Sequence, residues 1–131
     1  MALKAYKEQT FKATIKFLED GSTVGATFRM PRPIDYFSSA DGNVLVERQR
    51  FLCNIFKSFD KPVQVELEDG SILNVDNFTA LLELGVAMDI TDALIKWSDK
   101  HAEIQKEKDD LVKKQKSVGN STKKATPEIN D

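Results

Sequence analysis

The sequence predicts an α+β fold: a helix-dominated small domain with an N-terminal β-hairpin and a disordered C-terminal tail. Apolar and polar residues alternate along residues 11–17 and again along residues 23–30, which is typical of strands. Apolar residues then recur every three or four positions over much of residues 43–111, which indicates helices. From residue 117 the chain is polar, lacks periodicity and offers almost nothing to bury.

Length and composition favour one domain. The chain has 131 residues, a net charge of −2 and a single cysteine, Cys53, which excludes an intramolecular disulfide. The sequence contains no signal-like apolar region and no run of about 20 apolar residues, so we expect a cytosolic protein. We expect four segments: an N-terminal arm over residues 1–9, a single α+β domain over 10–104, a solvated helical extension over 105–116 and a disordered polar tail over 117–131.

The N-terminal hairpin is predicted from two alternating segments. In FKATIKF, residues 11–17, every second residue is apolar. The alternation resumes after the turn, and its apolar members are Val24, Ala26, Phe28 and Met30. Asp20-Gly21 lies between the segments and supplies the positive φ that tight hairpin turns need.

The pentapeptide LEDGS occurs at residues 18–22 and again at residues 67–71. Alternating apolar residues also precede the second copy, so a second hairpin over residues 63–75 is predicted, with an extended loop leading to a helix as the alternative. A calcium loop needs several oxygen ligands at alternate positions, and a phosphate loop needs more glycines. We therefore interpret LEDGS as a turn. Internal duplication is less favoured, because the sequences beyond the two turns differ.

Two helices are predicted between the hairpins. Pro33 suits the first position of a short helix over IDYFSS. A longer helix is predicted over residues 43–59, with Asp41 or Asn43 as its N-cap and Lys61-Pro62 as its stop. Its stripe is formed by Leu45, Arg48, Leu52, Ile55, Phe56 and Phe59.

Two further helices are predicted after the second hairpin. Asp76 is the expected N-cap of the first, whose stripe is formed by Phe78, Leu81, Leu82, Gly85 and Met88. Asp89 or Thr91 is expected to begin the last helix. The last helix has a seam with alternating spacings of four and three, formed by Ile90, Leu94, Trp97, His101, Ile104, Lys108 and Leu111. Because the polar seam residues lie in its later half, we expect packing on the domain only as far as Trp97.

The sequence predicts no catalytic, cofactor-binding or metal-binding residues. His101 is the only histidine, and it has no second histidine or cysteine near it in the sequence. Cys53 is interpreted as a small buried residue, with a Cys–His catalytic pair as a weaker alternative. No glycine-rich phosphate motif, hydrolase elbow or metal-spaced cysteine set occurs. We expect a protein that is not an enzyme and needs no cofactor.

Binding to nucleic acid is also disfavoured. The basic residues near the C-terminus are Lys113, Lys114, Lys116, Lys123 and Lys124. Acidic residues precede this cluster, and it contains no aromatic side chains on which bases could stack.

Contact with other polypeptides remains as a class of function. The stretch FTALLELGVAM, residues 78–88, is apolar round most of a helix, and short hairpins have edges that need covering. These residues either fill one small core or serve self-association or a partner, and the sequence favours the two interpretations equally.

One segment resembles a known family. TFRMPRPIDYFSSADGNVLVERQRFLCNIF, residues 27–56, is similar to a pattern in tail assembly chaperones of long-tailed, siphovirus-type bacteriophages. In that pattern a strand ends in an Arg-x-Pro-like element, and a short turn with an acid and a glutamate-bearing helix follow. VDNFTALLELGVAMDITDALIKWSD, residues 75–99, and the polar tail are also similar, so the resemblance covers about residues 10–100.

The resemblance implies a non-enzymatic role in assembly. Members of the family bind the long, largely helical tape measure protein, keep it soluble and help recruit tail tube subunits. The resemblance therefore implies the tape measure and tail tube proteins as partners, a homo-oligomer, and a location in the host cytoplasm but not in the mature virion.

Within this hypothesis, patterning selects four residues for apolar contacts among themselves or with a partner: Phe78, Leu81, Leu82 and Trp97. The alternatives are a structural tail or connector component that stays in the virion and, less favoured, a small nucleic-acid-binding regulatory protein.

Overall fold

The structure is a computed structural model in which residues 2–119 are described, with side chains as far as Lys113. The predicted α+β class is confirmed. The elements are β1 (Thr10–Phe17), β2 (Thr23–Arg29), α1 (Pro33–Ser39), α2 (Val44–Ile55), β3 (Phe56–Phe59), β4 (Val63–Glu66), β5 (Ile72–Val75), α3 (Phe78–Glu83), β6 (Met88–Asp89) and α4 (Thr91–Gly119). The chain divides into two compact units, the first ending at Ser98 and the second beginning at Asp99.

A four-stranded antiparallel sheet of order β3-β2-β1-β6 forms the centre of the first unit. The predicted N-terminal hairpin is confirmed as β1 and β2, and the even and odd residues of β1 alternate between exposed and buried. The inner face carries apolar side chains, including the fully buried Ile15 and Phe28. Leu52 and Ile55 of α2, together with Phe78 and Leu81 of α3, are also fully buried and complete this core.

The second hairpin is confirmed as β4 and β5, which form a separate two-stranded sheet. Both LEDGS segments are turns, as predicted. Asp20 Oδ1 accepts a hydrogen bond from the main-chain N–H of Ser22 at 2.9 Å. In the second copy, Asp69 Oδ1 accepts the equivalent bond from the main-chain N–H of Ser71, also at 2.9 Å. Gly21 and Gly70 have positive φ angles of 75° and 85°.

The short helix α1 is confirmed with Pro33 at its start, and the predicted helix over residues 43–59 is partly wrong. Asn43, one of the two residues predicted as N-cap, is the N-cap of α2. The helix ends at Ile55, however, and residues 56–59 form β3 on the outer edge of β2. The pairing of Thr27 with Ser58 and of Phe28 with Phe56 leaves Lys57 as a bulge. Leu45 and Arg48, which were predicted to lie on the core-facing stripe, are exposed.

The helix predicted from Asp76 is also shorter than expected. The predicted N-cap Asp76 is wrong: Asn77 is the N-cap, since its side chain accepts a hydrogen bond from the N–H of Ala80 at 2.7 Å. Gly85 adopts a φ of 79°, and the N–H groups of Gly85 and Val86 donate to the carbonyls of Leu82 and Leu81, which is a Schellman ending. Met88, predicted as part of the helical stripe, therefore lies in β6, which pairs with the end of β1.

The last helix begins at Thr91, one of the two predicted starts, and Asp89 accepts a hydrogen bond from the Thr91 N–H at 2.9 Å. In the second unit, α4 continues from Asp99, with Lys100 and Glu103 in an ion pair at 3.5 Å. Residues 105–113 are exposed. The predicted disordered tail over 117–131 begins inside α4, which reaches Gly119, and from residue 120 it lies outside the described residues.

Candidate functional site

The four residues predicted for apolar contacts lie in two different environments. Phe78 and Leu81 are completely buried in the core of the first unit, and the Phe78 ring lies 6.5 Å from that of Phe28. These two residues contact the protein's own core and are not available to a partner at the surface. Leu82 and Trp97 are half-buried. Of the four, Trp97 lines a surface depression among α1, α2 and the first turns of α4.

We call this depression the helical groove. It has a volume of about 550 Å³ and lies among α1, α2 and the first turns of α4. Its apolar lining is formed by Tyr36, Val44, Phe51, Leu94, Ile95 and Trp97. The volume lies within the range of about 300–1,000 Å³ that is usual for binding pockets.

Three aromatic rings line the base of the helical groove. The ring centroids of Tyr36 and Phe51 are 5.4 Å apart, and those of Phe51 and Trp97 are also 5.4 Å apart in an edge-to-face arrangement. Burial raises the pKa of the Tyr36 hydroxyl, and a hydrogen bond with the Trp97 side chain acts in the opposite direction. The rings thus form one continuous apolar surface across three helices, held by favourable ring geometry.

The rim of the helical groove is apolar and exposed. Val44 is 60% exposed and Ile95 is 51% exposed, although both line the groove. Glu47 and Arg48 are its charged lining residues. The Glu47 carboxylate accepts hydrogen bonds from the N–H groups of Asp41 and Gly42, at 2.9 and 2.7 Å, and these bonds lower its pKa. Glu47 therefore stabilises the start of α2, whereas Arg48 forms no ion pair among the described residues.

A buried ion pair positions α1, which forms one wall of the helical groove. The Arg29 guanidinium donates to both oxygens of Asp35, at 2.7 and 3.0 Å, and to the carbonyl of Asn54 at 2.7 Å. Asp35 also accepts from the N–H of Arg32 at 2.6 Å. The hydrogen bonds from Arg29 hold the pKa of the Asp35 carboxyl at about 2. One bidentate contact thereby joins the end of β2 to α1 and α2.

A second depression, which we call the strand groove, has a volume of about 940 Å³. One wall is Lys61–Glu66, which includes all of β4 and no residue of β5. The other walls are the turn of the first hairpin, Phe17–Val24, and the loop Leu84–Ala87. Its lining mixes acidic and apolar side chains, unlike the apolar base of the helical groove.

The residues considered for chemistry are not gathered into a site. Cys53 is half-buried in α2, and burial raises the pKa of its thiol. His101 lies exposed on α4 in the second unit. Within the described part of the chain, no cluster of three or more His, Cys, Asp or Glu residues could hold a metal ion. No helix within residues 2–119 is long and apolar enough to cross a bilayer.

Sequence reasoning missed most of the groove residues. Val44, Ile95 and Tyr36 lie outside the apolar stripes that the sequence predicts, and their convergence depends on how α1, α2 and the first turns of α4 pack. The pairing of Arg29 with Asp35 was signalled only by the Arg-x-Pro element and the acid that follows it. Comparison of the chain with family models, with curated proteins and with solved structures finds no match.

Proposed function

We propose that this chain is a non-enzymatic tail assembly chaperone of a long-tailed bacteriophage, which binds the tape measure protein through the helical groove. The observation that carries the proposal is an apolar groove with an exposed apolar rim, formed by Val44 and Ile95 above the three aromatic rings. Exposed apolar side chains that converge on one depression are typical of a protein-binding surface.

The shape and chemistry of the helical groove suit an amphipathic helix. Such a helix places apolar side chains at spacings of three and four residues into a groove between helices. The exposed ring of Tyr36 and the half-buried ring of Trp97 offer apolar contacts, and Arg48 at the edge offers a charge for an acidic residue of the partner. A long helical protein with repeated apolar stripes would bind several copies of the chaperone.

The resemblance of residues 27–56 and 75–99 to tail assembly chaperones supplies the biological context. It supports recruitment of tail tube subunits, self-association and a location in the host cytoplasm. Under this proposal the protein acts during assembly and leaves before the particle is complete. A tail or connector component with the same groove would remain in the particle.

Co-expression with a tape measure protein from the same phage tests the proposal. The wild-type chain should raise the soluble fraction of the tape measure protein and co-purify with it. Val44→Glu and Ile95→Glu should abolish both effects, because each places a charge on the apolar rim. Leu45→Glu is the matched control: Leu45 is 61% exposed in the same helical turn as Val44 but does not line the groove. Equal loss of binding in all three variants would contradict the assignment of the groove.

Mass spectrometry of purified virions tests the second part of the proposal. Peptides of this chain should be absent from mature particles and present in lysates of infected cells. Its presence in virions at a stoichiometry comparable to tail proteins would instead indicate a structural component.

A further inference from the structure

The strand groove contains an unpaired strand edge. The N–H of Leu67 donates to the carbonyl of Ser71 at 2.8 Å and closes the β4–β5 hairpin. Because hydrogen-bonded and non-hydrogen-bonded pairs alternate in antiparallel strands, Val65 and Val63 direct their main-chain groups towards β5. Gln64 and Glu66 therefore direct theirs away from β5. No other strand within residues 2–119 pairs with this side of β4.

A second, shorter edge lies in the opposite wall. β3 pairs with β2 from Ala26 onward, so the first residues of β2 have no strand neighbour on that side within the described part of the chain. The N–H of Phe17 donates to the carbonyl of Ser22, which makes Thr23 the next, outward-directed residue of β2. The carbonyl of Gly25 already accepts from the N–H of Asp60. The main-chain groups of Thr23 thus point away from β1, on the side where β2 has no strand neighbour at this position among residues 2–119.

The charges of the strand groove are unbalanced. Its lining contains three carboxylates, Glu19, Asp20 and Glu66, against one ammonium group, that of Lys61. None of these carboxylates forms an ion pair within the described residues. The N–H and hydroxyl of Ser22 both donate to Asp20, and these bonds lower the Asp20 pKa.

Apolar side chains alternate with these charges. Val63 and Val65 of β4 are half-buried, and Leu18 and Leu84 are exposed, although all four line the groove. An added strand would find main-chain partners at the edge of β4, apolar contacts for one set of alternate side chains and carboxylates for the other.

We propose that the strand groove binds an extended polypeptide segment in which apolar residues alternate with lysine or arginine. The segment adds as a strand along the outer edge of β4, and its basic side chains pair with Glu66, Glu19 and Asp20. This site is separate from the helical groove and gives the protein a second type of partner segment, extended where the first is helical. Nucleic acid is a poor occupant, since phosphates would meet carboxylates. A second copy joined through β4 would bring two acidic edges together.

Fluorescence anisotropy with labelled short peptides tests this proposal on the full-length protein. A peptide of alternating valine and lysine should bind. The matched valine–glutamate peptide should not, because its charges repeat those of the groove. Methylation of those main-chain nitrogens of the valine–lysine peptide that would face β4 should weaken binding by about tenfold or more, because the added strand would lose its hydrogen bonds. This comparison separates strand addition from simple attraction between opposite charges.

Two charge reversals on the protein complete the test. Glu66→Lys should weaken binding of the valine–lysine peptide by about tenfold. Glu68→Lys is the control, because Glu68 is exposed in the adjacent turn but does not line the groove. It should change affinity clearly less than Glu66→Lys does at moderate salt, because the Glu68 charge is exposed to solvent, lies outside the groove lining and is partly screened. Circular dichroism should show both variants folded.

Several outcomes would overturn the proposal. Equal binding of the methylated and unmethylated peptides would exclude strand addition, and equal loss in Glu66→Lys and Glu68→Lys would exclude the groove. Sedimentation that shows a dimer abolished by Glu66→Lys would assign β4 to a second copy. Competition by a single-stranded oligonucleotide would assign the surface to nucleic acid. None of these results affects the variants of Val44 and Ile95, so the two proposals can fail separately.

Discussion

The two β-hairpins of this protein share the turn sequence LEDGS but place it differently. In the first hairpin Phe17 and Ser22 close the turn, so Leu18 lies in the loop and is exposed. In the second hairpin Leu67 and Ser71 close it, so the leucine directly follows β4, before the turn, and is half-buried. The bond between aspartate and serine and the positive φ of glycine are the same in both. The shared residues therefore specify a turn but not its length.

The strands beyond these turns differ still more. β1 and β2 bury a complete apolar face, whereas Val75 is the only buried residue of β4 and β5. Isolated two-stranded hairpins are marginal in water, and a third strand or a packed face is needed for stability. The first hairpin thus belongs to the core, while the second presents the edge that we assign to a partner. The same turn sequence therefore occurs in one hairpin that builds the core and in another that we assign to partner binding.

The largest expected difference between the hairpins is the change in stability when one isoleucine side chain of each is shortened to alanine. Ile15 in β1 is 0% exposed and Ile72 in β5 is 57% exposed. Ile15→Ala should lower the free energy of unfolding by about 3 kcal/mol, because it removes buried methyl groups and leaves a cavity. Ile72→Ala should lower it by less than about 1 kcal/mol. Urea denaturation followed by circular dichroism measures both.

Equal destabilisation by these two substitutions would contradict the expected difference in stability between the two hairpins. It would mean that the exposed face of β5 is covered, for instance by another copy of the chain. Repeating the denaturation over a range of protein concentrations identifies that case, because stabilisation by self-association depends on concentration.

Acid sensitivity should also distinguish the hairpins. Only the first ends in a buried ion pair, in which Asp35 has a pKa of about 2 instead of 3.8. Because the folded-state pKa is the lower one, the pair stabilises the fold fully above pH 3.8, and this contribution declines as the pH falls towards 2. The shift corresponds to about 2 kcal/mol. Asp35→Asn should cost a similar amount at neutral pH and remove this part of the pH dependence.

Denaturant titrations between pH 2 and 7 on the wild type and Asp35→Asn measure this effect. Asp69→Asn in the second hairpin is the control. Its carboxylate has a lowered pKa from the bonds donated by Ser71 but is fully exposed. Asp69→Asn should therefore leave the acid response of the fold nearly unchanged. If Asp35→Asn lost stability in acid to the same extent as the wild type, the ion pair between Arg29 and Asp35 would not be the contact that stabilises the junction of β2 and α1.

The sequence predicted the elements better than their ends. Alternation identified β1, β2, β4 and β5, and proline and asparagine marked the starts of α1 and α2. Phe56 and Phe59 were assigned to a helix because they are three residues apart. In the structure the bulge at Lys57 brings both phenylalanines inward from a strand, with ring centroids 4.7 Å apart. A bulge changes the period of a strand locally, so spacing alone could not separate the two possibilities.

The end of α3 could have been predicted from the sequence, whereas the two grooves could not. Gly85 followed by Val86 is a common signal for a Schellman ending, but the apolar stripe concealed it. The grooves depend instead on distant contacts. Burial of Phe78 and Leu81 could be expected from an apolar helix, whereas exposure of Val44 and Ile95 follows from the packing of the first turns of α4 near α2. Periodicity identifies which residues are apolar, and tertiary packing decides which of them remain uncovered.

The smallest expected difference concerns the two turn glycines. Gly21 and Gly70 have positive φ angles, and an added Cβ would meet nothing within 4 Å at either position. Replacement by alanine therefore costs only backbone strain, about 1 kcal/mol. Gly21→Ala should lower global stability by that amount, because its hairpin belongs to the core. Gly70→Ala should leave global stability nearly unchanged and speed amide hydrogen exchange in β4 and β5, because that hairpin opens locally. Equal loss of global stability in both variants would instead show that the second hairpin unfolds together with the core.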